Sequence, residues 1–205
     1  MKEKSLKPII ERLEKLFSMF NKKFYNGTLQ RPVITVSPDN TKGAYGWCTA
    51  WKAWKEDAKD GKGYYEINLC AEYLSRPFEE TAGTLLHEMA HLHNIKIGVQ
   101  DTSRGGFYHN AKFKAAAENH GLTVEKTEKY GWSKTTLNDE AKVFVDAMQE
   151  KKFEIFRNSP PKISKASKKQ SSRKYVCPSC GAIIRATKEV HVVCGDCECE
   201  FVEAG

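Results

Sequence analysis

The chain of 205 residues is 40% hydrophobic and 29% charged, enough to bury one ordinary core and carry a small appendage. No apolar run approaches the roughly 18 residues that cross a bilayer, and the N-terminus scatters charges through its apolar positions, unlike a secretory signal; a cytoplasmic protein with no membrane association is expected. The net charge of +7 is uneven, because residues 158–174, NSPPKISKASKKQSSRK, carry six positive charges and no acid.

Residues 5–25 read as an amphipathic helix, with Ile9, Ile10, Leu13, Leu16, Phe17, Phe20 and Phe24 at spacings of three and four, stopped by Asn26-Gly27. PVITVS, 32–37, has the β-branched content of a strand. GAYGWCTAWKAW, 43–54, alternates as a second strand, and DAKDGKG turns the chain into a third, YYEINLC, 64–70; the three suggest a small antiparallel sheet. On that second strand Tyr45, Trp47 and Trp51 share one face. They suit either base stacking or packing beneath the helices, and core packing is preferred because a small sheet needs one apolar face. A second helix opens at Ser75 or Pro77, with Glu79 and Glu80 in its first turn, and runs to Ile97 or Gly98. VQDTSRGGFY reads as a loop. HNAKFKAAAENHGL reads as a third helix, capped by Asn110 and stopped by Gly121. A fourth begins at Asn138 and fades near Phe156. The expected organisation is α+β: a main domain over 1–157, a basic flexible linker over 158–174 and a cysteine-bearing module over 175–205.

The second helix carries HEMAHLHN, residues 87–94. His87 and His91 are four apart, which on a helix turns them by only about 40° and stacks both imidazoles on one face. That face can offer two nitrogens to one zinc ion, while Glu88 reaches a water rather than the metal. His93 lies about 200° from His91 and faces away. A catalytic zinc needs a third protein ligand and an open position. A metzincin would place glycine and histidine where this chain has Asn94 and Ile97, so that pattern is excluded. A thermolysin-like site would take a glutamate from a later helix, for which Glu118 is the candidate. His109 is preferred, since it opens the next helix after a loop long enough to return the chain to the histidine face. His120 sits at a helix C-terminus, where interaction with exposed carbonyls explains it.

HEMAH followed by GGFYHNAKF resembles the SprT-like zinc metallopeptidases, the family that includes the Spartan proteases, in which a third histidine stands in an H-x-x-x-F context opening the next helix. His109 and Phe113 match that context; where the family often has glycine directly after this histidine, the chain has Asn110. The resemblance spans about residues 5–122 and implies a zincin-like metallopeptidase domain, protein substrates and a DNA-associated role. Zinc on three neutral imidazoles would polarise a scissile carbonyl and bring the pKa of its water to about 7, with Glu88 as proton acceptor. Tyr108 and His93 are the nearest candidates in sequence for stabilising the oxyanion.

Cys177-Pro-Ser-Cys180 and Cys194-Gly-Asp-Cys197 form two knuckles 13 residues apart, the pattern of a zinc ribbon with one structural zinc. Cys199 is a spare thiol, and His191 falls on the intervening hairpin. One catalytic and one structural zinc ion are therefore expected. The linker and ribbon could bind DNA through phosphate neutralisation, or the linker could be a solvated tether. The rival function is a non-catalytic zinc-dependent DNA-binding or adaptor protein.

Overall fold

The computed structural model describes residues 4–39, 43–158 and 172–204. The chain divides into two compact units, Met1–Ser159 and Pro160–Gly205.

The first unit opens with α1, Lys7–Phe24, whose Ile9, Leu13, Leu16, Phe17 and Phe20 form one buried stripe. The helix stops where Asn26 and Gly27 take positive φ and Gly27 donates back to the Asn21 carbonyl. Asn21 then clamps the departing chain, bonding both backbone groups of Leu29 at 3.0 Å. β1 (Val33–Ser37), β2 (Gly46–Cys48), β3 (Trp54–Lys55), β4 (Gly63–Tyr64) and β5 (Glu66–Cys70) follow. β1, β5 and β2 form a sheet in that order, with β5 parallel to β1 and antiparallel to β2. The expected all-antiparallel sheet is thus a mixed one. Alternation along a strand reveals which face is buried but not the direction of its partner. The β3–β4 pair stands apart as a two-stranded ribbon.

The sheet's apolar face comes from Ile67, Leu69 and Ile34, not from the aromatic strand. Tyr45 and Trp51 are 50% and 66% exposed, which overturns the core assignment for both, while Trp47 is half-buried in β2. β2 is only three residues long, and Trp51 lies beyond its end. Tyr45 is held instead under the Arg76 guanidinium, 3.9 Å from its ring centre.

α2, Phe78–Lys96, is buried on nearly every side and is the axis of the unit. After it the expected loop contains a short hairpin, β6 (Thr102–Ser103) and β7 (Tyr108–His109). α3, Ala111–Asn119, is capped by the Asn110 side chain, which accepts from the N–H groups of Lys112 and Phe113. Gly121, at φ +92°, then turns the chain in a space walled by Phe24, Leu86 and Ala141. β8 (Leu122–Thr127) and β9 (Gly131–Leu137) make an antiparallel hairpin. The four strands order as β6-β7-β9-β8.

α4, Asp139–Asp146, is capped by Asn138 and ends well before Phe156. The residues beyond it fold back onto α1. Phe153 is buried under the Arg12 guanidinium, which also binds the Lys151 carbonyl and the Glu150 carboxylate. A continued helix would withhold that carbonyl from Arg12. No helix among the described residues is long and apolar enough to cross a membrane.

In the second unit β10 (Arg173–Val176) is flanked by β11 (Ile183–Ala186) and β12 (Val202–Ala204), both antiparallel to it. Arg173 and Lys174 stand in β10, whereas 159–171, most of the expected linker, lie outside the described residues.

Candidate metal centre

Helical pitch stacks His87 and His91 on one face of α2, their ring centres 5.1 Å apart. His109 reaches them from β7, which is pinned on both sides: Thr102 pairs with it from β6 and Gly131 from β9. The His109 N–H donates to the Tyr130 carbonyl at 2.9 Å. This close approach requires glycine at 131, because a Cβ there would stand 2.2 Å from the His109 carbonyl oxygen and 2.8 Å from the Tyr108 ring.

The three imidazoles point their Nε2 atoms at one spot. His109 Nε2 lies 3.2 Å from His87 Nε2 and 3.1 Å from His91 Nε2. Tetrahedral zinc–nitrogen bonds of about 2.0–2.1 Å would place ligand nitrogens about 3.3 Å apart, so both of these separations fit such an ion, and the three ligand atoms all lie within 4.8 Å of one another. Phe113, fully buried, forms the floor, its ring centre 4.5 to 4.6 Å from those of all three histidines.

Two of the three outer nitrogens have partners. Asp101 Oδ2 lies 2.7 Å from His91 Nδ1 and accepts from Asn94 Nδ2 at 3.0 Å. Thr135 Oγ1 on β9 lies 2.9 Å from His87 Nδ1. Asp101 can only accept, so His91 donates from Nδ1 and keeps the Nε2 lone pair free; the Thr135 hydroxyl can accept from His87 Nδ1 in the same way. His109 Nδ1 is buried and has no hydrogen-bond partner among the described residues.

For two of the three rings the electrostatics agree with ligand duty. Burial, then the neighbouring imidazoles, holds His87 well below its ordinary pKa. Burial and His91 likewise push His109 down to about 4. These rings are therefore neutral donors near pH 7. For His91 burial acts the same way, but the Asp101 hydrogen bond with the Glu88 and Asp101 charges outweighs it and raises the pKa. Glu88 is 5% exposed, and burial raises its carboxyl to about 7. β2 passes directly over it: a Cβ on Gly46 would lie 3.4 Å from Glu88 Oε1 and 2.6 Å from the Asn68 carbonyl.

Other candidates fall away from this spot. His93 faces Tyr25 and His120, with ring centres at 5.7 and 4.5 Å. His120 stacks on Tyr25 and donates from Nδ1 to the Ala116 carbonyl at 2.6 Å, the expected helix-end role. Glu118 pairs with Lys114 on α3. Tyr108 lies with its ring against Gly131 and under Arg104. Asp101, Thr135 and Gly131 went unread in the sequence, and Asn94 was read only as a departure from the metzincin pattern; Thr135 and Gly131 belong to a hairpin that nothing local tied to the histidines.

In the second unit the sulfurs of Cys177, Cys180, Cys194 and Cys197 all lie within 4.8 Å of one another, a cluster that fits a zinc ribbon. The backbone N–H of Cys180 leads in holding the Cys177 thiol down to about 6. His191 is exposed and pairs with Glu200 at 2.8 Å, outside the sulfur group. Both groups, three imidazoles and four thiols, can bind zinc.

Compared with known proteins, the chain matches a family model described as the SprT-like family over residues 13–133. No curated protein and no solved structure matches it.

Proposed function

The chain belongs to the SprT-like family, and from that premise we propose that it is a zinc-dependent endopeptidase with a zincin-like fold. His87, His91 and His109 would hold the metal and Glu88 would act as general base. One observation carries this reading: His109 Nε2 lies 3.1 to 3.2 Å from the Nε2 atoms of both His87 and His91, with a buried carboxylate beside them.

A zinc ion held there would supply Lewis acidity to the scissile carbonyl and ease loss of a proton from the attacking water. The remaining steps fall to the chain. Glu88 takes that proton at its carboxylate and returns it to the leaving amine nitrogen, a role suited to a group whose pKa stands at about 7. Asp101 and Thr135 hold two of the imidazoles in register through both steps. β2 pairs only with β5 among the described residues. A substrate backbone can add along its outer edge and so be carried past Glu88. His93 is withdrawn from the role of oxyanion donor by its place against Tyr25, and Tyr108 lies with its ring against Gly131. Protein substrates held on DNA fit the family, and the basic stretch at 158–174 offers a salt-dependent phosphate contact.

The test is Glu88→Gln, assayed with a protein substrate in the presence and absence of single-stranded and double-stranded DNA. The variant is expected to keep both metals and to lose cleavage by about 100-fold or more. Equal cleavage by parent and variant would refute the mechanism. Absence of cleavage in a fully zinc-loaded parent under all conditions would favour the non-catalytic DNA-binding reading.

A further inference from the structure

The two cysteine knuckles are built alike, and the likeness places a fifth thiol. In the first, Gly181 N–H donates to the Cys177 carbonyl at 3.0 Å, and Cys177 N–H donates to the Ala182 carbonyl at 2.8 Å. In the second, Glu198 N–H donates to the Cys194 carbonyl at 2.8 Å, and Cys194 N–H donates to the Cys199 carbonyl at 2.9 Å. Glu198 thus stands where Gly181 stands, both at positive φ, +53° and +74°. Cys199 stands where Ala182 stands.

The knuckle's own backbone therefore holds Cys199 at the edge of the sulfur group. Its Sγ lies 3.4 Å from Cys177 Sγ. It is not one of the four sulfurs that lie mutually within 4.8 Å, so it abuts one corner of the set rather than completing it. Cys177 is 1% exposed, whereas Cys199 is half-buried and reachable from solvent.

We propose that Cys177 and Cys199 are a peroxide-sensitive thiol pair, in which Cys199 takes the oxidant and Cys177 closes a disulfide onto it. The proposal rests on reading the four-thiol group as a zinc site and is independent of the peptidase reading. Hydrogen peroxide transfers one oxygen to Cys199 sulfur as the O–O bond breaks, and the thiol proton leaves with the other oxygen as water. The Cys177 thiolate then attacks Cys199 sulfur, the S–S bond forms, and the S–O bond breaks to release hydroxide. The two sulfurs lose two electrons and the peroxide gains them. Only three thiols of the original four then remain for the metal, which loosens it.

The experiment uses the full chain loaded with zinc, treated with hydrogen peroxide, blocked with iodoacetamide and mapped by mass spectrometry. A chromogenic chelator follows zinc release in parallel. The expected first crosslink is Cys177–Cys199, with zinc release that dithiothreitol and added zinc reverse. In Cys199→Ala, which the matching Ala182 shows to be compatible with the knuckle turn, release slows by about tenfold or more. A first disulfide between any other pair, or release from Cys199→Ala at the parent's rate, overturns the proposal. So does loss of the thiol-bound zinc from Cys199→Ala before peroxide is added, which would make Cys199 a ligand. If the untreated parent holds no thiol-bound zinc, the zinc-site reading fails instead, and the crosslink map still decides the pair.

Discussion

Asp101 sits against His91, its Oδ2 2.7 Å from Nδ1, and is steadied there by Asn94 from the same helix as the histidine. A carboxylate in this place fixes the ring's tautomer and raises the basicity of Nε2. Asp101→Ala is expected to weaken zinc binding at the histidine site by about 10- to 100-fold. Competition with a chelator of known affinity measures it. Asp101→Asn keeps an acceptor oxygen and should recover part of that loss; an alanine variant with parental affinity would remove Asp101 from the site.

Gly131 admits β9 to the His109 backbone, at φ +70° and with no room for a Cβ. Gly131→Ala should lower stability by about 2 kcal/mol or more and weaken metal binding with it, because the strain falls on the strand that aims His109. Gly27 has the same φ but open space around it. Gly27→Ala should therefore cost only about 1 kcal/mol and leave metal binding unchanged. Thermal unfolding of the two variants, with and without zinc, separates backbone strain from steric collision.

His109 is held at about 4 in the folded chain, chiefly by burial, against about 6.5 in an unfolded one. Between those values the unfolded state binds the extra proton, so stability rises with pH across the window and falls as pH drops from 6.5 toward 4. His87 acts in the same direction, whereas His91, raised by Asp101, contributes stability that is fully present below about 6.5 and is lost only as pH rises above it, outside this window. The His109 contribution is on the order of 3 kcal/mol over the window. The Tm of the metal-free chain should decline over this range less steeply in His109→Gln than in the parent. Parallel curves would mean that His109 is not desolvated as described.

Glu198 occupies the left-handed turn that Gly181 fills in the sister knuckle. Glu198→Gly should stabilise the ribbon by about 1 kcal/mol, seen as slower zinc loss to a chelator. An unchanged or faster rate would show that the Glu198 side chain compensates for its backbone.

What the sequence determined by itself is local. Four-residue spacing on a helix stacks His87 over His91 and turns His93 away, because the pitch is a property of the backbone and not of its surroundings. The same holds for the two Cys-x-x-Cys turns, and for Asn110 and Asn138, whose short side chains cap the helices they precede. His109 was a choice among candidates in the sequence, and β6 and β9 clasp it where its Nε2 meets those of His87 and His91. The direction of β1 against β5, the exposure of Tyr45 and Trp51, and the early end of α4 depend on which distant surfaces compete for burial, and residue spacing carries no record of that competition. Asp101 and Thr135 belong to the same class. A carboxylate and a hydroxyl become partners of an imidazole only where a loop and a strand, far apart along the chain, are packed against one helix face, and tertiary structure alone decided that they are.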